Sequence, residues 1–245
     1  MVKLEADLHI HTVTSGHAFS TVLENAKAAK RKGLKLIAIT DHGPRLPGGA
    51  NPFHFWNLRA LPREIEGVKI LRGVEANIVD ADGNIDLPQQ LLETLDIVHL
   101  ALHTHCGYED EGAERNTDTL IKAMENPAVD VVVHPGNPKF PLDVVRVVEA
   151  AGVNNVLLEV NNSSFLDSTS RAGSFDIDLE IVNEAKRRNL EIVVGSDAHF
   201  EDAVGRFGAA LKLIEVADFP VERILNISAD KVVQFLEKKK NRKIF

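Results

Sequence analysis

One cysteine, Cys106, stands in 245 residues, so no intrachain disulfide can form. A chain of this length buries enough core to fold without one, and a reducing, cytoplasmic setting is the expectation. Aromatic residues make up only 5%, with a single Trp and a single Tyr, and no stretch interleaves aromatics with basic residues as single-stranded nucleic-acid binders do. Basic residues are also in deficit: 28 Lys plus Arg face 36 Asp plus Glu, for a net charge of −8. That balance speaks against a main task of gripping a nucleic-acid backbone or an anionic membrane. No apolar run approaches the roughly 20 residues needed to cross a bilayer. The opening MVKLEADLHIHT has no basic segment followed by a long apolar stretch, so no secretory signal is expected. Linkers rich in Ser and Gly, internal repeats and low-complexity tracts are absent as well, and a single domain over residues 1–245 is the reading.

What is present is an alternation of strand-like and helix-like segments. Apolar runs predict seven strands, near 4–10, 34–40, 68–79, 96–102, 130–133, 156–160 and 191–195. Amphipathic stretches predict helices near 21–31, 117–124, 142–151, 177–188, 204–215 and 229–240, the first capped by Ser20 or Thr21 and stopped at Gly33. Near-continuous apolar strands between amphipathic helices imply parallel strands covered by helices, an α/β fold. Residues 80–86, DADGNID, read as a turn or small hairpin centred on Asp82-Gly83. A calcium loop is disfavoured there, because the following glutamate is missing.

Ten histidines are the unusual feature, and their positions are informative. Strand one ends in His9 and His11, with His17 soon after. Strand two runs into Asp41-His42, strand three holds Glu75, strand four ends in His103 and strand five in His134. The last strand runs into Asp197-Ala198-His199. Parallel α/β folds gather ligands at the carboxyl ends of strands. Residues two apart on a strand share a side, so His9 and His11 can share an ion. Seven histidines, one glutamate and one aspartate exceed the needs of one ion, and two or three divalent ions follow. Clustered ions acidify water and neutralise the charge of a phosphoryl group in flight, which points to hydrolysis of a phosphate ester.

The segments DLHIHT, ITDHGP, ILRGVEANI, HPGNPK, NNSSF, GSDAH and DFPVERILN, with His17, resemble those of the PHP (polymerase and histidinol phosphatase) family, most closely its YcdX-type phosphatase branch. The resemblance spans about the whole chain. It implies a distorted seven-stranded β/α barrel and a trinuclear metal site, with zinc usual and manganese the alternative. By matching position, it implies that His9, His11, Glu75 and Asp197 bind a first ion, with Glu75 bridging to a second held by His103 and His134. His17, His42 and His199 then hold a third. Asp197 would orient or deprotonate the attacking water, and His134 joins it as a catalytic candidate. His105, two residues after His103, departs from the family pattern and is a candidate to touch substrate or metal.

Other residues have plainer readings. Asp41 either orients an imidazole or caps a turn, and residues 161–164 lie beside the site. Lys139 is a solvated charge. Arg171 and Arg206 are of the type that forks onto phosphate, with surface ion pairs the default. His54 contacts substrate or sits among aromatics. His99 is a satisfied core histidine and Cys106 a bystander thiol. The basic tail over 238–243 is a solvated helix end. The expected activity is therefore a metal-dependent phosphatase acting on a small phosphorylated substrate, without nucleic acid or membrane. Ranked below it are a PHP-type nuclease or nucleotide phosphoesterase, a histidinol-phosphate phosphatase, and a non-enzymatic metal scaffold.

Overall fold

The structure is a computed structural model that describes residues 2–168 and 170–245. Its strands are β1 (Ala6–Ile10), β2 (Leu36–Ile39), β3 (Glu64–Ile65), β4 (Val68–Asn77), β5 (Ile97–Ala101), β6 (Val131–Val132), β7 (Leu157–Asn161) and β8 (Ile192–Gly195). β3 is a two-residue antiparallel addition to β4 that the sequence did not announce. The other seven run parallel in the order β1-β2-β4-β5-β6-β7-β8. A parallel bridge between Ile10 and Ala198 brings the ends together, with His11 N donating to Ala198 O at 2.9 Å and Ala198 N to His9 O at 3.2 Å. The result is a nearly closed barrel of seven parallel strands.

The helices are α1 (Val22–Lys32), α2 (Pro52–Asn57), α3 (Gln89–Leu92), α4 (Ala113–Met124), α5 (Val144–Val153), α6 (Ser174–Arg187), α7 (Gly208–Val216) and α8 (Ala229–Lys240). Thr21, rather than Ser20, caps α1 in a reciprocal box with Glu24, and Gly33 ends it at φ 75°. α4 starts a turn earlier than expected, and α7 starts later, at Gly208. Gly205 explains the second difference. It sits at φ 69° and donates its N–H to the Asp7 carboxylate at 2.8 Å, so helix cannot begin before it. The 80–86 hairpin is present, with an antiparallel bridge between Ile78 and Ile85. Among the described residues no helix is long and apolar enough to cross a membrane.

Period-two alternation decides what fills the barrel. Leu71, Ile97, Val131, Leu157 and Val193 form one buried cluster drawn from five strands, joined by Ala6, Leu8, Leu36 and Ala38. Two and four residues further along the same strands stand Glu75, His99, Glu159, Asn161 and Asp197. The lower barrel is therefore apolar and its carboxyl-end mouth polar. β1 needs a correction to follow this rule. Its pairing with β2 slips between Asp7 and Ile10, an irregularity that inserts an extra residue. The slip changes the parity of the strand, which lets Leu8 join the inner cluster while His9 and His11 reach the polar mouth.

α8 closes the opposite end. Val232 and Leu236 join the inner cluster. Lys240 Nζ pairs with the fully buried Asp130 at 2.8 Å, and Arg242 donates to Leu95 O at 2.8 Å and lies 3.3 Å from Asp96. The basic tail is thus only partly solvated, contrary to the expectation. Lys238 and Lys243 face solvent, whereas Lys240 and Arg242 neutralise the aspartates that precede β6 and β5.

Candidate metal centre

Glu75 is the hub of the barrel mouth. Its side chain is fully buried, and its two oxygens face five imidazoles. Oε2 lies 2.7 Å from His42 Nδ1 and 3.4 Å from both His9 Nε2 and His11 Nε2. Oε1 lies 2.7 Å from His134 Nε2 and 3.3 Å from His103 Nε2. Asp197 Oδ1 completes one side, 3.6 Å from His9 Nε2 and 3.3 Å from His11 Nε2. Three sets bring one donor atom each within 4.8 Å of one another: His9–His11–Glu75, His42–Glu75–His103 and His11–His42–His199. His17 Nε2 is 3.0 Å from His199 Nε2 on the solvent side of the His11–His42–His199 set. His42 adjoins the Glu75–His103 pair as well as the His11–His199 pair.

The outward nitrogens have partners that fix which ring atom faces the centre. His9 Nδ1–H donates to Glu159 Oε1 at 2.8 Å. His11 Nδ1–H donates to Ser15 Oγ at 3.1 Å, and Ser15 in turn donates to Asp41 at 2.7 Å. His103 Nδ1–H donates to Asn77 Oδ1 at 2.7 Å, and Asn77 donates its amide to Asp86 at 2.6 Å. His199 Nδ1–H donates to the Asp197 carbonyl at 3.0 Å. The inward nitrogens of His9, His11 and His103 are left with lone pairs facing the Glu75 carboxylate, and that of His199 faces His17. His42 Nδ1 and Glu75 Oε2 stand only 2.7 Å apart. Inward-facing imidazole nitrogens and carboxylate oxygens, buried and crowded at this distance, are a donor set that fits zinc or manganese.

Sequence reading missed Glu159 and Ser15. Glu159 was visible as a lone acid in the apolar run of β7, a position that demands a partner. Its carboxylate also accepts the N–H of His134 at 3.0 Å, so it holds two candidate ligands. Gly195 makes room for it: a Cβ there would stand 1.9 Å from Glu159 Oε1. Asp41 resolves to the orienting role, acting on His11 through Ser15 while also taking both Thr12 donors. Among the described residues, His134 and Asp197 are in the left-handed region, at φ 36° and 55°, where the backbone turns their side chains back over the mouth. Asp197 Oδ1 faces His9 and His11, while His199 joins His11 and His42.

Charge follows the same geometry. Burial works against ionising Glu75, but His42, His103 and His9 hold its carboxyl well below the usual range. Burial likewise opposes Asp197, and His9 and Arg171 overcome it. Burial, with Arg171, pushes His134 down to about 4, which leaves its imidazole neutral and fit for a ligand rather than an acid. Arg171 corrects the surface-pair expectation. Its guanidinium lies on the cavity wall, 13% exposed, 2.6 Å from Asp197 Oδ2 and 2.8 Å from Ser163 Oγ. Arg206 does form an exposed pair, with Asp202.

The remaining candidates sort by position. His105 lines the cavity at φ 68° with its N–H on Glu109, yet joins none of the three sets. His54 lies behind the site, 3.4 Å from Asp41 and edge-on to Phe55. Lys139 is exposed, and Cys106 is buried with its thiol near Asn77 Oδ1. His99 is in the core as expected, its ring 5.0 Å from that of His9, but neither of its nitrogens has a hydrogen-bond partner. Burial, with His9 nearby, pushes it down to about 3. Its unfolded-state value near 6.5 is higher, so the unfolded chain takes a proton that the folded one refuses. The stability this contributes is present above pH 6.5 and lost as pH falls toward 3. His99→Leu is therefore expected to flatten acid destabilisation by a few kcal/mol, on the order set by that linkage. Urea unfolding at pH 7 and pH 4.5 checks it, and parallel losses in variant and wild type would refute it.

The centre floors a cavity of about 690 Å³. With that geometry established, the PHP domain pattern matches residues 7–204 of the sequence. The chain belongs to the PHP domain family. Within that family a probable phosphatase of Caldanaerobacter subterraneus subsp. tengcongensis is 52% identical over 241 residues, covering 98% of this chain and 94% of that one. By shape the chain is similar to histidinol phosphate phosphatase from Lactococcus lactis, solved with zinc, L-histidinol and phosphate. The TM-score is 0.63 at 17% identity, over 88% of this chain and 94% of that one. A chain of archaeal ribonuclease P, solved with mature tRNA, gives 0.62 at 14% identity, over 98% and 94%. At such identities the likeness to both structures concerns the fold alone.

Proposed function

We propose that this PHP protein, acting as one domain over residues 1–245, hydrolyses phosphoric monoesters with the aid of two or three divalent ions, zinc first and manganese as the alternative. Glu75 carries this reading. One buried carboxylate facing five imidazole nitrogens within 3.4 Å supports a role as bridge between adjacent ions. His9, His11 and Asp197 would hold the first ion, His103 and His134 the second, and His42 and His199, with His17 outermost, the third. Ions so held would acidify water and neutralise the charge on phosphoryl oxygens.

The chain's own residues supply the rest. Glu159 and Ser15 keep His9 and His11 in the ligating tautomer. Asp197 orients the incoming water while Arg171 braces it and adds positive charge beside the phosphoryl position. Water oxygen bonds to phosphorus, the ester P–O bond breaks, and the alcohol leaves with a proton, giving inorganic phosphate. The kinship with probable phosphatases supports a small phosphorylated substrate.

The test is turnover of a generic aryl phosphate by the purified protein, as isolated, after chelation, and after adding back zinc or manganese. Activity lost on chelation, restored by metal and absent in His134→Ala is the expected pattern. Undiminished turnover in the thoroughly chelated protein would overturn it. Circular dichroism run alongside separates loss of activity from loss of fold.

A further inference from the structure

The cavity of about 690 Å³ is larger than a phosphoryl group needs and lies in the range of pockets that hold drug-sized ligands, about 300–1,000 Å³. Its wall changes character away from the metal centre. Leu46 and Pro47 come from the loop after β2, Leu166 from the loop after β7, and Phe200 from the loop after β8. Phe200 is 54% exposed and Leu166 41% exposed. Single exposed apolar side chains are ordinary on a protein surface, but these share one concavity whose floor is a cluster of charge.

The backbone that carries Phe200 is tied down on both sides. The carbonyl before it, of His199, accepts the N–H of Phe19 at 2.8 Å. The N–H after it, of Glu201, donates to Ser20 Oγ at 2.8 Å, and its own carbonyl accepts from Ala203 N at 2.9 Å. Its neighbour His199 belongs to the metal centre, which sets the ring within one residue of the reacting end. The two guanidinium groups on this wall are engaged by carboxylates, Arg171 by Asp197 and Arg206 by Asp202. The wall therefore offers apolar surface, the hydroxyls of Thr104, Ser168 and Ser170, the His105 imidazole, and guanidinium groups already paired with carboxylates.

We infer that this outer wall is a leaving-group subsite that selects phosphoric monoesters of uncharged, ring-bearing alcohols, with Phe200 as its stacking platform. This rests on the phosphatase reading above and names the substrate class. An aromatic ring on Phe200 gains from offset or edge contacts that a short polar alcohol lacks. An ester with a second phosphate leaves that charge against apolar side chains.

The experiment compares kcat/KM of the metal-loaded enzyme for 1-naphthyl phosphate, glycerol 2-phosphate and fructose 1,6-bisphosphate. Naphthyl phosphate is expected to lead both others by about thirtyfold or more, and Phe200→Ala to shrink that lead about tenfold, chiefly through KM. Phe53→Ala, removing a still more exposed aromatic on α2 outside the cavity, is expected to leave the lead intact. Calorimetry with naphthylmethylphosphonate and methylphosphonate reads the same preference without turnover. If no ester is cleaved but the naphthyl phosphonate binds more tightly in a Phe200-dependent way, the subsite stands and the phosphatase reading falls. If the esters are cleaved with equal efficiency, if the bisphosphate leads, or if Phe200→Ala leaves the ratio unchanged, the subsite is overturned.

Discussion

Replacing Glu75 by Gln is expected to lower phosphatase turnover by more than about a hundredfold and to reduce the metal bound per chain. The substitution keeps size and shape and removes one negative charge. Loss of the groups that merely orient metal ligands costs about 10–100-fold, and Glu75 stands at the centre with both oxygens within 3.4 Å of imidazole nitrogens. Its low carboxyl pKa, opposed by burial and set by His42, His103 and His9, means that the charge is present throughout the neutral range. In Glu75→Gln, Asp197 is left as the one carboxylate among the nine candidate ligands. Metal content by mass spectrometry and turnover should fall together. Full metal content with unchanged turnover would remove Glu75 from the centre.

The second large effect lies at the other end of the barrel. Lys240→Met strips the partner from Asp130, a fully buried carboxylate 2.8 Å away. Breaking a buried pair from one side typically costs about 3–5 kcal/mol, because an uncompensated charge remains. Burial already raises the Asp130 pKa against the pull of Lys240, and losing the lysine raises it further. A carboxyl whose folded-state pKa lies above its unfolded value costs nothing below the unfolded value, and the cost builds as pH rises through the folded one. The variant's deficit against wild type should therefore be large at pH 7 and shrink toward pH 4. Adding Asp130→Asn should restore part of the stability, since an amide oxygen can still accept the Val98 N–H that Asp130 takes at 2.8 Å. Urea unfolding across that pH range is the measurement. A deficit independent of pH would mean that Lys240 contributes packing rather than charge.

The sequence by itself determined the seven strands in their places along the chain, a first-helix cap at Ser20 or Thr21, the turn or hairpin at 80–86 and the nine candidate residues at the strand ends. These are local signals: apolar runs report burial, turn residues report chain reversal, and parallel strands must present their carboxyl ends on one rim. What it left undecided depends on how the barrel closes. The slip in β1 changes the parity of His9 and His11. Closure brings Glu159 to His9 from 150 residues away, and Arg171 to Asp197. A buried acid in a strand announces that it needs a partner but not which one, because the partner is set by the stagger of strands around the barrel. The same holds for His11, which sits between two donor sets where matching by position assigned it one, and for His17, left on the solvent side. The tail shows the reverse case. Its run of lysines reads as solvated from sequence, and only the seating of α8 across the barrel end makes two of its cations the partners of the buried Asp130 and Asp96.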